Sequence, residues 1–475
     1  MSGIKFGTDG WRAVISDDFT FENVRVVAQA IADFVKAQKS AIYRKRSLAV
    51  GFDTRFLSEK YAEIVAGILA ANGIRVTLSD KACSTPSVGL CISGKKMSGG
   101  VMITASHNPP QYNGIKYKNF SGGSAGSEII DDIEKRLFKS SIKSMSIEDA
   151  VNKRIVKKED LMARQVKEVR KFADMKLLKK TRLRVIVDSM NGTGGKYLEE
   201  ILKGTGIKLD YIYADNNPSF NGRAPEPNEK HLTELMGLVK KGRYDLGVAT
   251  DGDSDRVAIV DEKGRILTGH KVMALLLVCL VENRGMKGGV VQTVCGTGLI
   301  DKMAEEYGLE TYETPVGFKY ICDMMTRKDI LIGGEETGGI GFKGYIPERD
   351  GFLSALLVME LMASKRKKIS EIVSGLNKKY GSFVYEREDI LFDASKKKKL
   401  LSGLKKHPLK EIFGKKVVKI NDSDGYKFIL HDGTWLLLRL SGTEPKLRVY
   451  SETPSKKISL EYIALGRKYA FDLMK

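Results

Sequence analysis

Leu246-Gly-Val-Ala-Thr-Asp-Gly-Asp-Ser-Asp-Arg256 runs from an apolar strand straight into a loop with a carboxylate at every second position. A short, continuous apolar run closed by Asp-Gly reads as a strand buried on both faces. Two other stretches share the plan: Val101-Met-Ile-Thr-Ala-Ser106, continuing as His-Asn-Pro-Pro110, and Ile330-Leu-Ile-Gly-Gly-Glu335. Each stands about 40 to 60 residues after an earlier apolar strand: Leu48-Ala-Val-Gly-Phe-Asp53, Val185-Ile-Val-Asp-Ser189 and Val290-Val-Gln-Thr-Val294. Helix-like segments follow the first two of these, from Ser58 to Asn72 and from Gly195 to Lys203. Alternation of strand and helix implies α/β units with mixed, largely parallel sheets, and three similar units in tandem is the economical reading. Ligands gather at the carboxyl ends of strands in such sheets, so the three loops are expected to share a site.

Past about residue 380 the pattern changes. Alternating strands such as Trp435-Leu-Leu-Leu-Arg-Leu440 and Leu447-Arg-Val-Tyr450 precede an amphipathic helix from Ser459 to Met474, which predicts a smaller α+β domain. Tyr380-Gly381-Ser382 interrupts both periodicities and is expected to be a hinge. The chain therefore divides into 1–150, 151–260, 261–380 and 381–475, within the three or four domains that 475 residues suggest.

With 42% hydrophobic residues the chain is not disordered. The longest apolar run, Val272 to Val281, is closed by Glu282 and falls short of the ~20 residues that span a bilayer. No apolar signal region follows Met1, so a cytoplasmic protein without membrane association is expected. Cys83, Cys91, Cys279, Cys295 and Cys322 are odd in number and scattered, which suits core residues better than disulfides or a metal site.

Lys+Arg number 79 against 59 Asp+Glu, a net charge of +20. The densest clusters are Lys365-Arg366-Lys367-Lys368, Lys396 to Lys399, and Lys176, Lys179, Lys180, Arg182 and Arg184. None is interleaved with aromatics that would stack bases, so they read as solvated faces and no nucleic-acid partner is expected.

Thr104-Ala-Ser-His-Asn-Pro-Pro110 puts the Ser106 hydroxyl just past a strand, with His107 and Asn108 beside it and two prolines fixing the loop, although a plain turn has the same composition. In extended chain the period of two would point Asp251, Asp253 and Asp255 to one side, and Gly252 lets the backbone bend toward a cation. Oxygen-only donors suit Mg²⁺ and argue against zinc. An EF-hand fails: Glu262 stands at loop position twelve, but Ala258-Ile-Val260 reads as a strand through the middle and Arg256 intrudes. Gly334-Glu-Glu-Thr-Gly-Gly339 offers carboxylates and a hydroxyl to vicinal sugar hydroxyls. Arg439-Leu-Ser-Gly-Thr-Glu-Pro445, followed by Arg448, combines hydroxyls, backbone N–H groups and guanidinium groups suited to a phosphate dianion.

These motifs in this order, with Gly7-Thr-Asp-Gly-Trp-Arg12 at the start, closely resemble the α-D-phosphohexomutase superfamily, which includes phosphoglucomutase, phosphomannomutase and phosphoglucosamine mutase. The resemblance runs from Phe6 to Arg448. It implies three related α/β domains and a smaller fourth around a central cleft, with Ser106 as the phosphoryl carrier. Asp251, Asp253, Asp255 and a phosphate oxygen on Ser106 would hold Mg²⁺. Arg12, Lys116 and His107 would stand near the transferring group, with Lys116 preferred as general acid/base. Arg256 would steady the phosphate, and Gly317 and Lys319 would line another substrate-facing loop. Glu335 and Thr337 would grip sugar hydroxyls. Arg439, Ser441, Gly442, Thr443 and Arg448 would hold the phosphate that is not reacting. Three carboxylates and a phosphoserine of about −2 sum to roughly −5, which Mg²⁺ lowers to roughly −3 and Arg12, Lys116 and Arg256 could offset.

The implied reaction interconverts hexose 1-phosphate and hexose 6-phosphate through phospho-Ser106 and a hexose 1,6-bisphosphate, which also serves as primer. Members that act on glucosamine phosphate usually have Gln where this chain has Glu336. Bacterial phosphomannomutase/phosphoglucomutases often have His where this chain has Gly339. With Thr104, this favours glucose phosphate, then mannose phosphate. Phosphoglucosamine mutase, a metal-dependent phosphatase with a phosphoserine, and a basic nucleic-acid-binding protein are the alternatives.

Overall fold

The computed structural model describes residues 3–7, 9–440 and 446–475. The chain forms two compact units, one of residues 1–288 with 317–370 and the other of 289–316 with 371–475.

The first sheet of the larger unit runs in the order Trp11–Val14, Tyr112–Lys118, Gly99–Ile103, Ser47–Phe52, Arg75–Ser79, Val156–Glu159. Its last four strands are parallel, as buried Val- and Ile-rich runs joined by helices should be. A second sheet pairs Arg184–Asp188 in parallel with Lys208–Ile212 and with Leu246–Thr250. The expected repeat has a sharper form in three dimensions. In each α/β domain the motif-bearing strand turns back on itself: Gly99–Ile103 with Tyr112–Lys118, Leu246–Thr250 with Val257–Asp261, and Ile330–Gly334 with Ile340–Phe342 are all antiparallel pairs. The serine, aspartate and sugar-loop motifs are the three connections of these pairs.

Helices Ser58–Ala71 and Tyr197–Leu202 lie close to the spans expected from the sequence. The apolar run from Val272 lies mostly in the buried helix Gly269–Val278, and among the described residues no helix is long and apolar enough to cross a membrane. Helix Gly351–Lys365 is predominantly apolar and buried along Gly351 to Met362, where Glu360 is the one charged residue, the pattern of a central helix. Its N-cap Asp350 accepts from Leu353 N at 3.0 Å, from Tyr345 OH at 2.9 Å and from Gln165 Nε2 at 2.8 Å. Gln165 Oε1 in turn accepts from Ser84 Oγ, the N-cap of helix Thr85–Lys95, at 2.5 Å. One buried glutamine thus joins the caps of two helices whose neighbouring residues, Thr85 and Arg349, reach the acidic loop. All five cysteines are buried and none forms a disulfide among the described residues.

In the smaller unit, Gly289–Thr293 pairs in parallel with Thr311–Thr314. An antiparallel sheet runs Val384–Leu391, Lys446–Thr453, Trp435–Leu440, Tyr426–Leu430, Lys415–Asn421, Glu411–Ile412. Helix Lys456–Met474 starts earlier than expected because Ser455 caps it. Helix Ile369–Tyr380 stops at Gly381, whose φ of +97° suits glycine. Arg366, Lys367, Lys368, Lys396 to Lys399, Lys176, Lys179, Lys180, Arg182 and Arg184 are exposed, as solvated faces should be.

Candidate active site

Ser106 stands three residues past strand Gly99–Ile103 with φ +53°, a left-handed conformation costing roughly 1–2 kcal/mol in a residue with a Cβ. Two devices hold it there. Thr104 Oγ1 accepts from Ser106 N at 2.8 Å, and the buried Arg55 guanidinium donates to four loop carbonyls: Ser106 (2.7 Å), Asn108 (2.5 Å), Pro109 (2.8 Å) and Tyr112 (2.9 Å). Asp53 neutralises Arg55 at 3.2 Å and also accepts from Ser58 Oγ. The Ser106 hydroxyl is buried and donates to Asp251 Oδ2 at 2.9 Å.

The aspartates converge, but not by strand pleating. Residues 251–256 form a turn in which Ser254 has φ +55° and donates its N–H to the Asp251 carbonyl at 3.1 Å. One oxygen from each carboxylate lies within 4.8 Å of the others, and all three residues are fully buried. Gly252 is required by proximity: a Cβ there would fall 2.5 Å from the Ser106 carbonyl oxygen. Asp251 Oδ1 accepts from the backbone of Asp255 and Arg256, and Asp253 Oδ2 accepts from Thr85 Oγ1 and from Lys116 Nζ at 2.8 Å. Asp253 Oδ1 and Asp255 Oδ1 are buried with no hydrogen-bond partner among the described residues. Unsatisfied hard oxygens on converging carboxylates fit a Mg²⁺-like ion. Burial, then the charges of Asp255 and Asp253, push the Asp251 carboxyl well up. Burial also pushes Asp253 up, but Lys116 overcomes it and holds that carboxyl below its usual range.

Around the carboxylates stands a ring of cations. Lys116 Nζ is buried between Asp253, Asp9 (2.9 Å) and Asp255 (3.3 Å), and their charges, outweighing burial, keep it an ammonium. Arg12 donates to Asn108 Oδ1 at 2.6 Å. Arg256 Nε lies 3.9 Å from Asp255. The His107 imidazole is held neutral by burial and by Arg256, Arg12 and Lys116, and its Nδ1 has no hydrogen-bond partner among the described residues. Arg349, 3% exposed, pairs with Asp255 at 2.7 Å, Asp9 at 2.9 Å and Glu335 at 3.3 Å.

In the sugar loop, Thr337 Oγ1 and Glu336 Oε2 are buried atoms with no hydrogen-bond partner among the described residues. Burial pushes the Glu335 carboxyl up to about 7, against the pull of Arg349 and Arg256. Its contribution to stability is therefore full below the unfolded value near 4.5 and is lost as pH rises through about 7. Glu335→Gln should gain in melting temperature relative to the parent between about pH 5 and pH 8; a difference constant over that range would contradict the assignment. Gly317, φ +131°, caps helix Phe318–Arg327, while Lys319 donates to Ser127 Oγ at 3.0 Å. Between them Phe318 lies under the Arg349 guanidinium at 5.0 Å.

Ser441, Gly442 and Thr443 lie outside the described residues, as does Thr8. Arg439 and Arg448, which flank that loop, are direct cross-strand partners in the smaller unit, so their side chains share a sheet face where like charges repel. Arg439 pairs with Asp424 at 2.8 Å. Arg448 is only 3.7 Å from Asp389, and its Nε is buried without a hydrogen bond among the described residues, a guanidinium suited to an anion.

Four family models match the chain: Phosphoglucomutase/phosphomannomutase alpha/beta/alpha domain I over residues 3–143, domain II over 163–264, domain III over 268–380, and the C-terminal domain over 394–464. The chain belongs to the phosphoglucomutase/phosphomannomutase family. It lies within the α-D-phosphohexomutase superfamily. A Thermococcus kodakarensis phosphoglucomutase/phosphomannomutase is 32% identical over the full length of both chains. A Sulfurisphaera tokodaii phosphoglucosamine/phosphogalactosamine mutase is 30% identical over 96% of this chain and 97% of its own. The crystal structure of a Thermus thermophilus chain provisionally named a phosphomannomutase is 30% identical, with a TM-score of 0.85 over 98% of this chain and 99% of that one.

Several residues of this site were not singled out by sequence. Asp53 and Arg55 follow the first strand at its carboxyl end, where the strand-end rule already pointed. Glu348-Arg349-Asp350 is a charged triplet entering a mostly apolar helix, which is a signal for buried ion pairs. Asp9 sits inside the N-terminal motif, between residues that were named. The charge accounting thus has further members, Arg349 among the cations and Asp9 among the anions.

Proposed function

We propose that this family member interconverts hexose 1-phosphates and hexose 6-phosphates, glucose first and mannose next, through a phosphorylated Ser106. The observation that carries the reading is a buried serine hydroxyl hydrogen-bonded to one of three converging carboxylates and ringed by cations. Phosphoryl transfer asks chiefly for alignment and charge stabilisation, and this arrangement supplies both. Phospho-Ser106 donates to a sugar hydroxyl: the Ser106 oxygen–phosphorus bond breaks, the sugar oxygen–phosphorus bond forms, and the hydroxyl proton leaves. The resulting hexose 1,6-bisphosphate, also the primer, reorients and returns its other phosphoryl group to Ser106.

Asp251, Asp253 and Asp255 would hold Mg²⁺ with a phosphate oxygen on Ser106, and the ion supplies neutralisation of the phosphoryl charge. Lys116, held charged, suits stabilising negative charge or donating a proton to the departing serine oxygen, while neutral His107 suits accepting one. Arg12 and Arg256 add positive charge beside the phosphate. Glu335 and Thr337 bind sugar hydroxyls, with Gly317 and Lys319 on a second sugar-facing loop. Arg439 and Arg448, with Ser441, Gly442 and Thr443, hold the phosphate that is not reacting.

A second reading, glucosamine phosphate, is favoured by the name of the Sulfurisphaera relative, a phosphoglucosamine/phosphogalactosamine mutase. A coupled assay with glucose, mannose and glucosamine 1-phosphates, primed by hexose 1,6-bisphosphate, tests both. Turnover of glucose 1-phosphate should lead; leading turnover of glucosamine 1-phosphate would select the second reading, and release of free phosphate alone would replace both with a phosphatase.

A further inference from the structure

Gly339 does not have a backbone that calls for glycine, since its φ is not among the positive ones. Space is the reason for glycine there: a Cβ would lie 2.4 Å from Arg349 Cδ and 3.2 Å from its Cγ. Arg349 cannot easily move aside, because its guanidinium is fixed on Asp255, Asp9, Glu335 and Glu348 and lies against the Phe318 ring. The same side chain therefore ties together the acidic turn, the N-terminal segment and the sugar loop. Glu335 Oε2 is the oxygen that Arg349 holds, and it lies 3.5 Å from where the Gly339 Cβ would be.

The geometry points to Arg349 as a positioning residue that fixes the Glu335 carboxylate toward the sugar hydroxyls, seated in space that Gly339 leaves open. This rests on the proposed role of Glu335 in holding the sugar. An arginine suits the task because a planar fork can face several carboxylates at once, where a lysine offers one point charge. Fixing the carboxylate before substrate arrives removes an ordering cost from binding, so the effect should fall on affinity more than on the chemical step.

The test is a double-mutant cycle at saturating Mg²⁺, read as the dissociation constant of glucose 6-phosphate by calorimetry and as KM and kcat separately. Arg349→Gln and Glu335→Gln should each weaken binding by about tenfold or more, with a smaller change in kcat. The double variant should be no weaker than the worse single one, and Arg349→Lys should recover part of the loss. Gly339→Ala keeps every charge and guards against misfolding of the arginine variants; it should weaken binding in the parent but not in Arg349→Ala, where the space is free. Additive losses, or variants that only lower the melting temperature with affinity intact, would overturn the inference. A parent that binds glucose 6-phosphate without turning it over would defeat the mutase reading while the cycle still judged Arg349; a parent that binds no hexose phosphate would defeat both.

Discussion

Ser106→Ala is expected to abolish mutase turnover, by at least about 10³-fold, even with hexose bisphosphate supplied, because the proposed carrier of the phosphoryl group between the two transfers is then gone. The fold should tolerate the change. Among the described residues the serine side chain makes one hydrogen bond, to Asp251, and that carboxylate keeps two backbone donors at 3.1 and 3.2 Å, so the stability cost should be about 1 kcal/mol. Loss of turnover with a melting temperature lowered by no more than a few degrees separates a chemical role from a structural one. Turnover within tenfold of the parent would remove the serine from the mechanism.

Arg55→Met should be the most destabilising of the substitutions around the serine loop. It deprives four loop carbonyls of their donor and leaves Asp53, 2% exposed, as a buried charge without its partner. Breaking a buried pair in this way typically costs roughly 3–5 kcal/mol. Burial already pushes the Asp53 carboxyl up against the pull of Arg55, so removing the arginine leaves the desolvation cost opposed by hydrogen bonds alone. Asp53→Asn in the same chain should then restore part of the loss. Denaturation of the two variants side by side checks this; a double variant less stable than Arg55→Met would show that the uncompensated charge is not the cause. Turnover should fall as well, since the left-handed Ser106 loses the clamp on its carbonyl.

Much of the fold was legible because each α/β domain announces itself by a buried strand ending in a turn. Leu246 to Asp251 needed no tertiary information to read as a strand meeting a site. The antiparallel return strand of the first α/β domain was harder to see than that of the second, because Tyr112–Lys118 carries polar residues that are buried through partners elsewhere: Lys116 by Asp253 and Asp9, Lys118 by Glu348. The aspartate loop shows a correct result reached through the wrong geometry. An extended chain would align alternate residues, but a turn with Ser254 in the left-handed region gathers the carboxylates instead. Arg55, Asp9 and Arg349 were missed for a common reason. Each acts across long sequence separations, 340 residues for Arg349 and Asp9, and a charged residue does not say in sequence which distant partner it will meet. The +20 charge resolves the same way: the dense lysine runs lie on exposed surface, while the cations around Ser106 stand outside those runs and are buried or, for Arg12, half-buried.

The most direct measurement is phosphopeptide mapping after incubation with radiolabelled glucose 1,6-bisphosphate, followed by a chase with unlabelled glucose 1-phosphate. Label should appear in the tryptic peptide from Met97 to Lys116, at Ser106, and leave it during the chase as labelled bisphosphate. Label on a different peptide, or label on Ser106 that survives the chase, would contradict a phosphoserine that donates to the sugar.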